Sequence, residues 1–454
     1  MIETYKKIGL LGLGISNLYL ANYLAKLGYK VFVTEELHKE KIKKQIDKLD
    51  PTVEYECGGH SEKILNCDLI IRSPSIPYHH FLIEQAIKKG IPIFTELEFT
   101  YQILKYKTKK HPIIVAITGT NGKTTTVSLL SNICQNYKKT VVCGNIGEPF
   151  VKFINDIDNE TIVVIEVSSY QLEDIIEFKP DIGCILNITE DHLEHHKSMQ
   201  NYINAKFNLF KNQDNNNFAV VNYDDENIKK FIHRIEKSNI FFFSTETYIS
   251  NGAWLDKKNM QVIINSKFDN SCVKIETSLV GEHNLQNLTA AVCCSRLLKI
   301  PTNIIEETIK NFKGVEHRLE FVRKLNDVIF INDSKSTNVN STLVALKSFS
   351  KPIHLILGGR DKGSPYTPLI PFIKEKVKSI LLIGEATEII YSQLKNVESC
   401  SIYKCETLEN AVKKAYEIAK AGDIVLLSPA CSSFDQFENF EHRGRIFKQL
   451  VNSL

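Results

Sequence analysis

The stretch TGTNGKTTT, Thr118–Thr126, follows the apolar run PIIVAI (112–117) and precedes the helix-like VSLLSNICQNY (127–137). An apolar strand, a glycine loop and a helix, in that order, aim backbone N–H groups and a helix N-terminus at one point, a setting suited to a phosphate. The longer form of such a loop has a glycine where this chain has Ile117, so the segment is either a chance Gly-Lys-Thr or a shorter phosphate loop. As a loop, it offers Gly119, Thr120, Asn121, Gly122, Lys123, Thr124 and Thr125 to a nucleotide, with Lys123 toward the terminal phosphates and the Thr124 hydroxyl toward Mg²⁺. Glu166 ends the next strong strand, TIVVIEVSS, where a carboxylate can hold the same metal. An isolated glutamate at a strand end is more often solvated; beside a phosphate loop the metal role is favoured.

Outward from the loop, the pattern of short apolar runs and helix-like segments continues in both directions. Upstream lie KKIGLLGLG, SNLYLANYLAKLG, KVFVTEE and DLIIRSPSIP; downstream lie TVVCGNIG and DIGCILNIT. Near-continuous apolar strands separated by helices predict parallel sheets covered on both faces. Pro92 and the basic KYKTKKHP (105–112) interrupt the pattern, which predicts a linker there. Alternation in MQVIINS and CVKIETSLV predicts a small antiparallel extension within 240–280. KGVEHRLEFV opens a third section with VIFINDS, IHLILGG, ILLIGE and DIVLLSPA. Domains are therefore expected at 1–104, 105–313 and 314–454, with ligands beyond the carboxyl ends of the strands.

With 56 basic and 53 acidic residues, the net charge of +3 excludes a strong electrostatic case for nucleic acid or an anionic membrane, so any anion site is local. No run approaches a bilayer span. The eleven cysteines form no CxxC and no disulfide framework, and the chain reads as a soluble, unprocessed, cytoplasmic protein.

GLGIS (12–16), with Glu35 and Glu36 downstream, has the outline of a dinucleotide turn, but Asn17 stands in place of the third glycine. A phosphate or sugar site on a similar fold fits better than a nicotinamide site, and a purely structural turn stays open. NITEDHLEHH brings His192, His195 and His196 just past a strand, which leaves a metal-dependent hydrolase as a rival reading. A regulatory nucleotide-binding protein without turnover is a third. Lys206, in NAKFNLF, reads by itself as a surface lysine.

Taken together, TGTNGKTTT, GNIG, IEVSSYQLE, LNITEDH, NAKF, GEHNLQN, EHRLE, NDSKSTN, LGGRDKG and SPACSSFDQF resemble, in order and over nearly the whole chain, the Mur ligase family. The resemblance implies three α/β domains: a Rossmann-like N-terminal domain for a UDP-sugar, a central P-loop ATPase-type domain with a mostly parallel sheet, and a Rossmann-like C-terminal domain for an amino acid. It implies an ATP-dependent amide ligase of peptidoglycan precursor synthesis. NDSKSTN and SPACSSFDQFENFEHRG point within the family to D-glutamate joined to UDP-N-acetylmuramoyl-L-alanine, the alternatives being another Mur-type or a folylpolyglutamate-type ligase.

Carried over by motif, the resemblance assigns Lys123 to the terminal phosphates and Thr124 with Glu166 to one Mg²⁺. It assigns His192 and Lys206 to a second Mg²⁺, with Lys206 carrying a carbamate. Asn287, Arg318, Asp333 and Lys335 are implied around the nucleotide, Ser16, Glu35, Ser73 and Asn145 at the UDP-sugar, and Thr337, Lys362, Ser433 and Phe440 at D-glutamate. A cytoplasmic monomer with small-molecule partners is expected. Ser75 in SPSIP, where the family has glycine, Asn17, GGRDKG and a slightly short loop from His192 to Lys206 depart from the family pattern.

Overall fold

Three separate sheets account for the alternation, as seen in a computed structural model describing residues 5–145, 147–279, 281–349 and 351–454. Ile146 of GNIG and Val280 of CVKIETSLV lie outside the described residues. The first sheet contains β1 (Lys7–Leu11), β2 (Lys30–Glu35), β3 (Glu54–Cys57), β4 (Leu69–Arg72) and β5 (Ile93–Phe94), all parallel in the order β3-β2-β1-β4-β5. The chain winds one way from β1 to β3 and the other way from β4, so the turns after β1 and β4 flank a switch point where a crevice opens. They come close: a Cβ added at Gly12 would lie 3.0 Å from Cβ of Ser73.

The second sheet holds β6 (Ile113–Thr118), β7 (Thr140–Gly144), β8 (Ile162–Glu166), β9 (Ile182–Ile185), β10 (Phe218–Asn222), β11 (Asn239–Ser244), β12 (Gly252–Asp256), β13 (Gln261–Asn265) and β14 (Asn270–Lys274). Its order is β14-β13-β12-β11-β10-β9-β6-β8-β7. From β7 to β12 neighbours are parallel; β13 and β14 add antiparallel, in the 240–280 region whose residues alternate between buried and half-exposed. β6 lies between β8 and β9, and its register pairs Ile117 with Glu166 and with Cys184. The phosphate-loop candidate thus leaves the sheet beside Glu166.

The third sheet contains β15 (Glu320–Leu325), β16 (Val328–Asn332), β17 (Ile353–Gly358), β18 (Val377–Ile383), β19 (Ser401–Glu406) and β20 (Ile424–Leu427), in the order β15-β16-β20-β17-β18-β19. Only β15 runs antiparallel.

By packing, the chain forms two compact units: residues up to Glu276 with Gln286–Lys310, and Thr277–Leu285 with Asn311–Leu454. The first two sheets share the first unit and one apolar core, which runs from Ile8 and Leu24 through Phe99 to Ile165 and Phe207. The first half of the basic segment expected as a linker, residues 105–108, is helical. The helix Glu96–Gln102 continues as a π-helix, Ile103–Thr108, and stops where Lys109 takes a left-handed conformation, φ 53°. Burial of Ile103 and Leu104 explains this, because Lys105 and Lys107, which follow, can face outward while the apolar side anchors the turn. Glu98, fully buried, accepts from the N–H groups of Ile176, Glu177 and Phe178 at 3.1, 2.8 and 2.9 Å, tying this helix to the second sheet's domain. No helix among the described residues is long and apolar enough to cross a membrane. All eleven cysteines are unpaired.

Candidate functional site

Gly122 stands at the N-terminus of the helix Lys123–Gln135 with φ 83°, and a Cβ there would lie 2.0 Å from Oδ1 of Asn287. Only glycine tolerates both the left-handed backbone and that approach. Asn287, on the helix Glu282–Leu297, is thereby placed against the loop. The loop is braced from β9's exit: Asn187 accepts from the Thr120 N–H through its carbonyl at 2.9 Å and from the Asn121 N–H through its side chain at 2.8 Å. Spacing alone did not select Asn187; the clue was the LNIT stretch at a strand end.

Lys123 curls over the loop, its Nζ donating to the carbonyls of Gly119 and Thr120, each at 2.9 Å. Thr124 Oγ1 donates to Glu166 Oε2 at 3.0 Å, and Asn145 Nδ2 donates to Oε1 of the same carboxylate at 3.0 Å. The β6–β8 register dictates this meeting. A hydroxyl and a carboxylate oxygen at the mouth of a phosphate loop are the hard donors that Mg²⁺ takes, so the residues fit that ion.

Lys206 lies near the end of the helix Met199–Phe207 and is 1% exposed. Its Nζ donates to the Gly119 carbonyl at 2.8 Å and lies 4.6 Å from the Tyr202 ring centre. No ion pair holds it among the described residues. Burial, followed by the charge of Lys123, pushes its ammonium well below the usual lysine range; Asp191 opposes only in part. Burial and the Lys123 charge thus favour the neutral, nucleophilic amine over the ammonium.

The three histidines divide. His192 takes a left-handed conformation, φ 52°, so its partly exposed ring leaves the short helix Leu193–His196 and sits 3.4 Å from Asp191 and 3.8 Å from Glu194. His195 Nε2 and His196 Nδ1 each lie 3.0 Å from Glu173 Oε1, and these three side chains could together ligate a metal. The guanidinium of Arg72, however, stands 3.1 Å from the same carboxylate, so a cation there would meet a fixed positive charge. A hydrolytic metal centre built on all three histidines is not what the fold assembles.

Ser16, Ser73 and Asn145 line one cavity of about 700 Å³, together with Asn17, Ser168 and His195. Glu35 does not line it. Its carboxylate accepts from the N–H groups of Leu13 and Leu37 at 2.6 and 3.0 Å, bracing the glycine turn. Asn17, in the place of a glycine, is buried and donates to the carbonyls of Gly12 at 2.8 Å and Leu11 at 3.3 Å, a second brace on that turn. Ser75 Oγ lies 3.3 Å from Ser73 Oγ.

The second unit carries Arg318, Asp333, Lys335, Thr337, Lys362, Ser433 and Phe440. Asp333 is buried among Ser336 and Ser428 and accepts from the Leu319 N–H at 3.2 Å. Burial pushes its carboxyl up to about 6, against the hydrogen bonds of both serines and the Arg318 charge. Lys335 Nζ lies 5.9 Å from the ring centre of Phe440, the first residue of the helix Phe440–Asn452; Thr337 is half-buried, Ser433 buried and Lys362 exposed. Sequence reasoning missed Arg443, fully buried, which donates to the carbonyls of Ser334 at 2.9 Å and Cys431 at 3.1 Å and so pins NDSK to SPACSS. Its signal was a charge on the apolar stripe Arg443, Phe447, Val451.

Comparison with known proteins bears on these sites. Family models match for the MurD N-terminal domain at residues 7–80, the Mur ligase middle domain at 117–295 and the Mur ligase glutamate ligase domain at 317–431. The UDP-N-acetylmuramoylalanine–D-glutamate ligase of Clostridioides difficile is 41% identical over 452 residues, covering 99% of both chains. The ligase of the same name from Caldicellulosiruptor bescii is 42% identical over 99% of this chain and 98% of its own. Among solved structures, MurF ligase from Thermotoga maritima in complex with ADP shares the fold at a TM-score of 0.60 and 18% identity, over 93% of this chain and 95% of that one. Identity above 40% along essentially the full length, with family domains matched in order across all three sheets, makes the chain a member of the Mur ligase family.

Proposed function

We propose that this chain is an ATP-dependent ligase that joins D-glutamate to UDP-N-acetylmuramoyl-L-alanine in peptidoglycan precursor synthesis. The observation that carries the reading is the amine of Lys206, buried on the Gly119 carbonyl inside a phosphate loop whose Thr124 touches Glu166. A loop that only bound nucleotide would gain nothing from burying a second lysine there. The full-length likeness to D-glutamate ligases supports the choice of amino acid. Domains 1–104, 105–313 and 314–454 are read as the UDP-sugar, ATP and amino-acid domains.

A carboxylate resists attack by an amine because its oxygen leaves poorly and its charge repels nucleophiles. Transfer of the γ-phosphoryl group to the substrate carboxylate gives an acyl phosphate and ADP; the D-glutamate amine then attacks the acyl carbon and phosphate departs. The obstacle is the gathering of anions, which electrostatic preorganisation meets. Loop N–H groups from Gly119 to Thr125 and the Lys123 ammonium face the phosphates. Thr124 and Glu166 are the residues that would hold one Mg²⁺, and His192 and Lys206 those that would hold a second. Bound there, Mg²⁺ would supply positive charge against the gathered anionic oxygens. Addition of carbon dioxide to the neutral Lys206 amine, with loss of a proton, gives a carbamate and places an anionic oxygen donor beside Lys123. The cavity with Ser16, Ser73 and Asn145 is read as the UDP-sugar site. In the second unit Asp333, Lys335 and Arg318 are assigned to the nucleotide, and Thr337, Lys362, Ser433 and Phe440 to D-glutamate.

The test is product release from the purified protein. ADP and phosphate are expected in equal amounts only when UDP-N-acetylmuramoyl-L-alanine and D-glutamate are both present. Turnover with L-alanine on the unextended sugar nucleotide, or with L-glutamate on a folate acceptor, would assign it to another branch; hydrolysis without any amino acid would remove the ligase reading.

A further inference from the structure

Arg72 closes β4 immediately before the SPSIP turn, and its side chain is fully buried. Nε and Nη2 donate to Asp174 Oδ2 at 3.0 and 2.7 Å, Nη2 also reaches Glu173 Oε2 at 3.1 Å, and Nη1 donates to the carbonyl of Ile76. The Tyr78 ring lies 4.9 Å from its Cζ, and the Tyr78 hydroxyl donates to Asp174. One guanidinium therefore grips the turn after β4 and two carboxylates of the neighbouring domain. Glu173 in turn holds His195 and His196, and His196 Nε2 lies 2.9 Å from Ser169 Oγ. Ser73 on the near side and His195 on the far side both line the 700 Å³ cavity.

Stability alone does not account for this arrangement. Taking Arg72 and Asp174 wholly out of water costs about as much as their attraction returns, and apolar residues of similar size would hold the interface as well. What an apolar contact cannot supply is direction. A planar fork with donors at fixed angles sets the turn at Ile76 relative to Asp174 and Glu173.

We propose that Arg72 is a positioning residue for the UDP-sugar: by fixing the Ser73–Pro77 turn against the Glu173–His195 wall, it sets the affinity for that substrate without touching it. This rests on the cavity being the UDP-sugar site. The side-chain hydrogen bonds described for Arg72, Tyr78, Asp174 and Glu173 run to one another, to Ile76 and to His195 and His196.

The test uses the full-length protein with Arg72→Lys, which keeps the charge and loses the fork, and Tyr78→Phe, which removes one hydroxyl from Asp174. Binding of UDP-N-acetylmuramoyl-L-alanine is measured by calorimetry, alongside KM for each substrate, kcat and the melting temperature. For Arg72→Lys we expect binding and KM for the UDP-sugar to weaken about tenfold, with KM for ATP and for D-glutamate and kcat at saturation within about twofold. Tyr78→Phe is expected to weaken UDP-sugar binding about two- to threefold; should Arg72→Lys not fold, this variant decides. Unchanged UDP-sugar affinity in a folded variant, or an equal loss for ATP, overturns the inference and leaves the ligase reading standing. Failure of the unmodified protein to bind the UDP-sugar overturns both.

Discussion

Two buried polar clusters, one in each compact unit, differ in a way that separates chemistry from architecture. In the second unit His354 lies between Ser379 Oγ, 2.8 Å from Nδ1, and Asp423 Oδ2, 3.1 Å from Nε2. These are the residue types of a serine-hydrolase triad in hydrogen-bonded order. Yet all three are at most 3% exposed, they lie at or beside the amino ends of β17, β18 and β20, and Asp423 is further held by Lys378 Nζ at 2.8 Å and the Lys420 N–H at 3.0 Å. In the first unit Lys206 is as deeply buried, but at the carboxyl end of a sheet, with a carbonyl for a partner and a second lysine for a neighbour. A cluster in which donors and acceptors are matched closes on itself. One that buries an amine with no ion-pair partner among the described residues is built to receive something.

The largest effect expected from that contrast is at Lys206. Lys206→Ala should lower kcat on the order of 10³-fold, the scale of a lost electrostatic group in a closed site. It should leave the melting temperature unchanged or higher, because a buried amine without a counter-charge is removed. Short carboxylic acids in the assay are expected to restore part of the rate by replacing the carbamate oxygen. A marked loss of stability in this variant would make Lys206 a structural residue and dissolve the contrast.

Ser379→Ala tests the other side. Turnover should stay within about twofold, while unfolding by urea should show a loss of about 1–3 kcal/mol, since His354 Nδ1 is left buried without its partner. A folded Ser379→Ala protein with turnover cut tenfold or more would give the triad-like cluster a chemical role after all.

The same contrast explains how much could be read in advance. TGTNGKTTT and TIVVIEVSS declared a strand, a loop and a carboxylate because the periodicity and glycine pattern that make them are local, and β-sheet register then brought Thr124 to Glu166. Lys206 was not legible that way: on a helix an inward lysine and a solvated one have the same spacing, and only likeness to a family singled it out. Asn287 reaches Gly122 across a long interval of chain, so no local pattern announces it. Glu35 sits at the expected distance from GLGIS, and its carboxylate accepts from two backbone N–H groups of the turns it joins, a contact no spacing announces. Arg72 and Arg443 left the faintest trace, a charge ending an apolar strand and a charge on an apolar helical stripe.

The smallest expected effect is the pH dependence of the matched cluster. Burial holds the His354 imidazole below its ordinary range, against the pull of Asp423. In the unfolded chain a histidine titrates near ~6.5. Below that pH the unfolded state takes up a proton that the folded state refuses, so the His354 contribution is complete above about 6.5 and is lost as pH falls toward the lowered folded value. Its slope is at most about 1.4 kcal/mol per pH unit. Asp423 is held below the usual carboxylate range, since burial is outweighed by its bonds to Lys378, the Lys420 N–H and His354, so its own loss comes only under stronger acid. Asp333 has the opposite sign: with its carboxyl pushed up to about 6, it gains stability as pH falls toward the unfolded value. That gain masks part of the His354 loss, but it is common to the parent and to His354→Gln, which keeps an amide donor near Asp423 and cannot titrate. Urea midpoints of the second unit, followed from about pH 7 to about 5.5, should therefore fall more steeply in the parent than in His354→Gln. Parallel lines would place the acid sensitivity outside this cluster and leave His354 a packing residue.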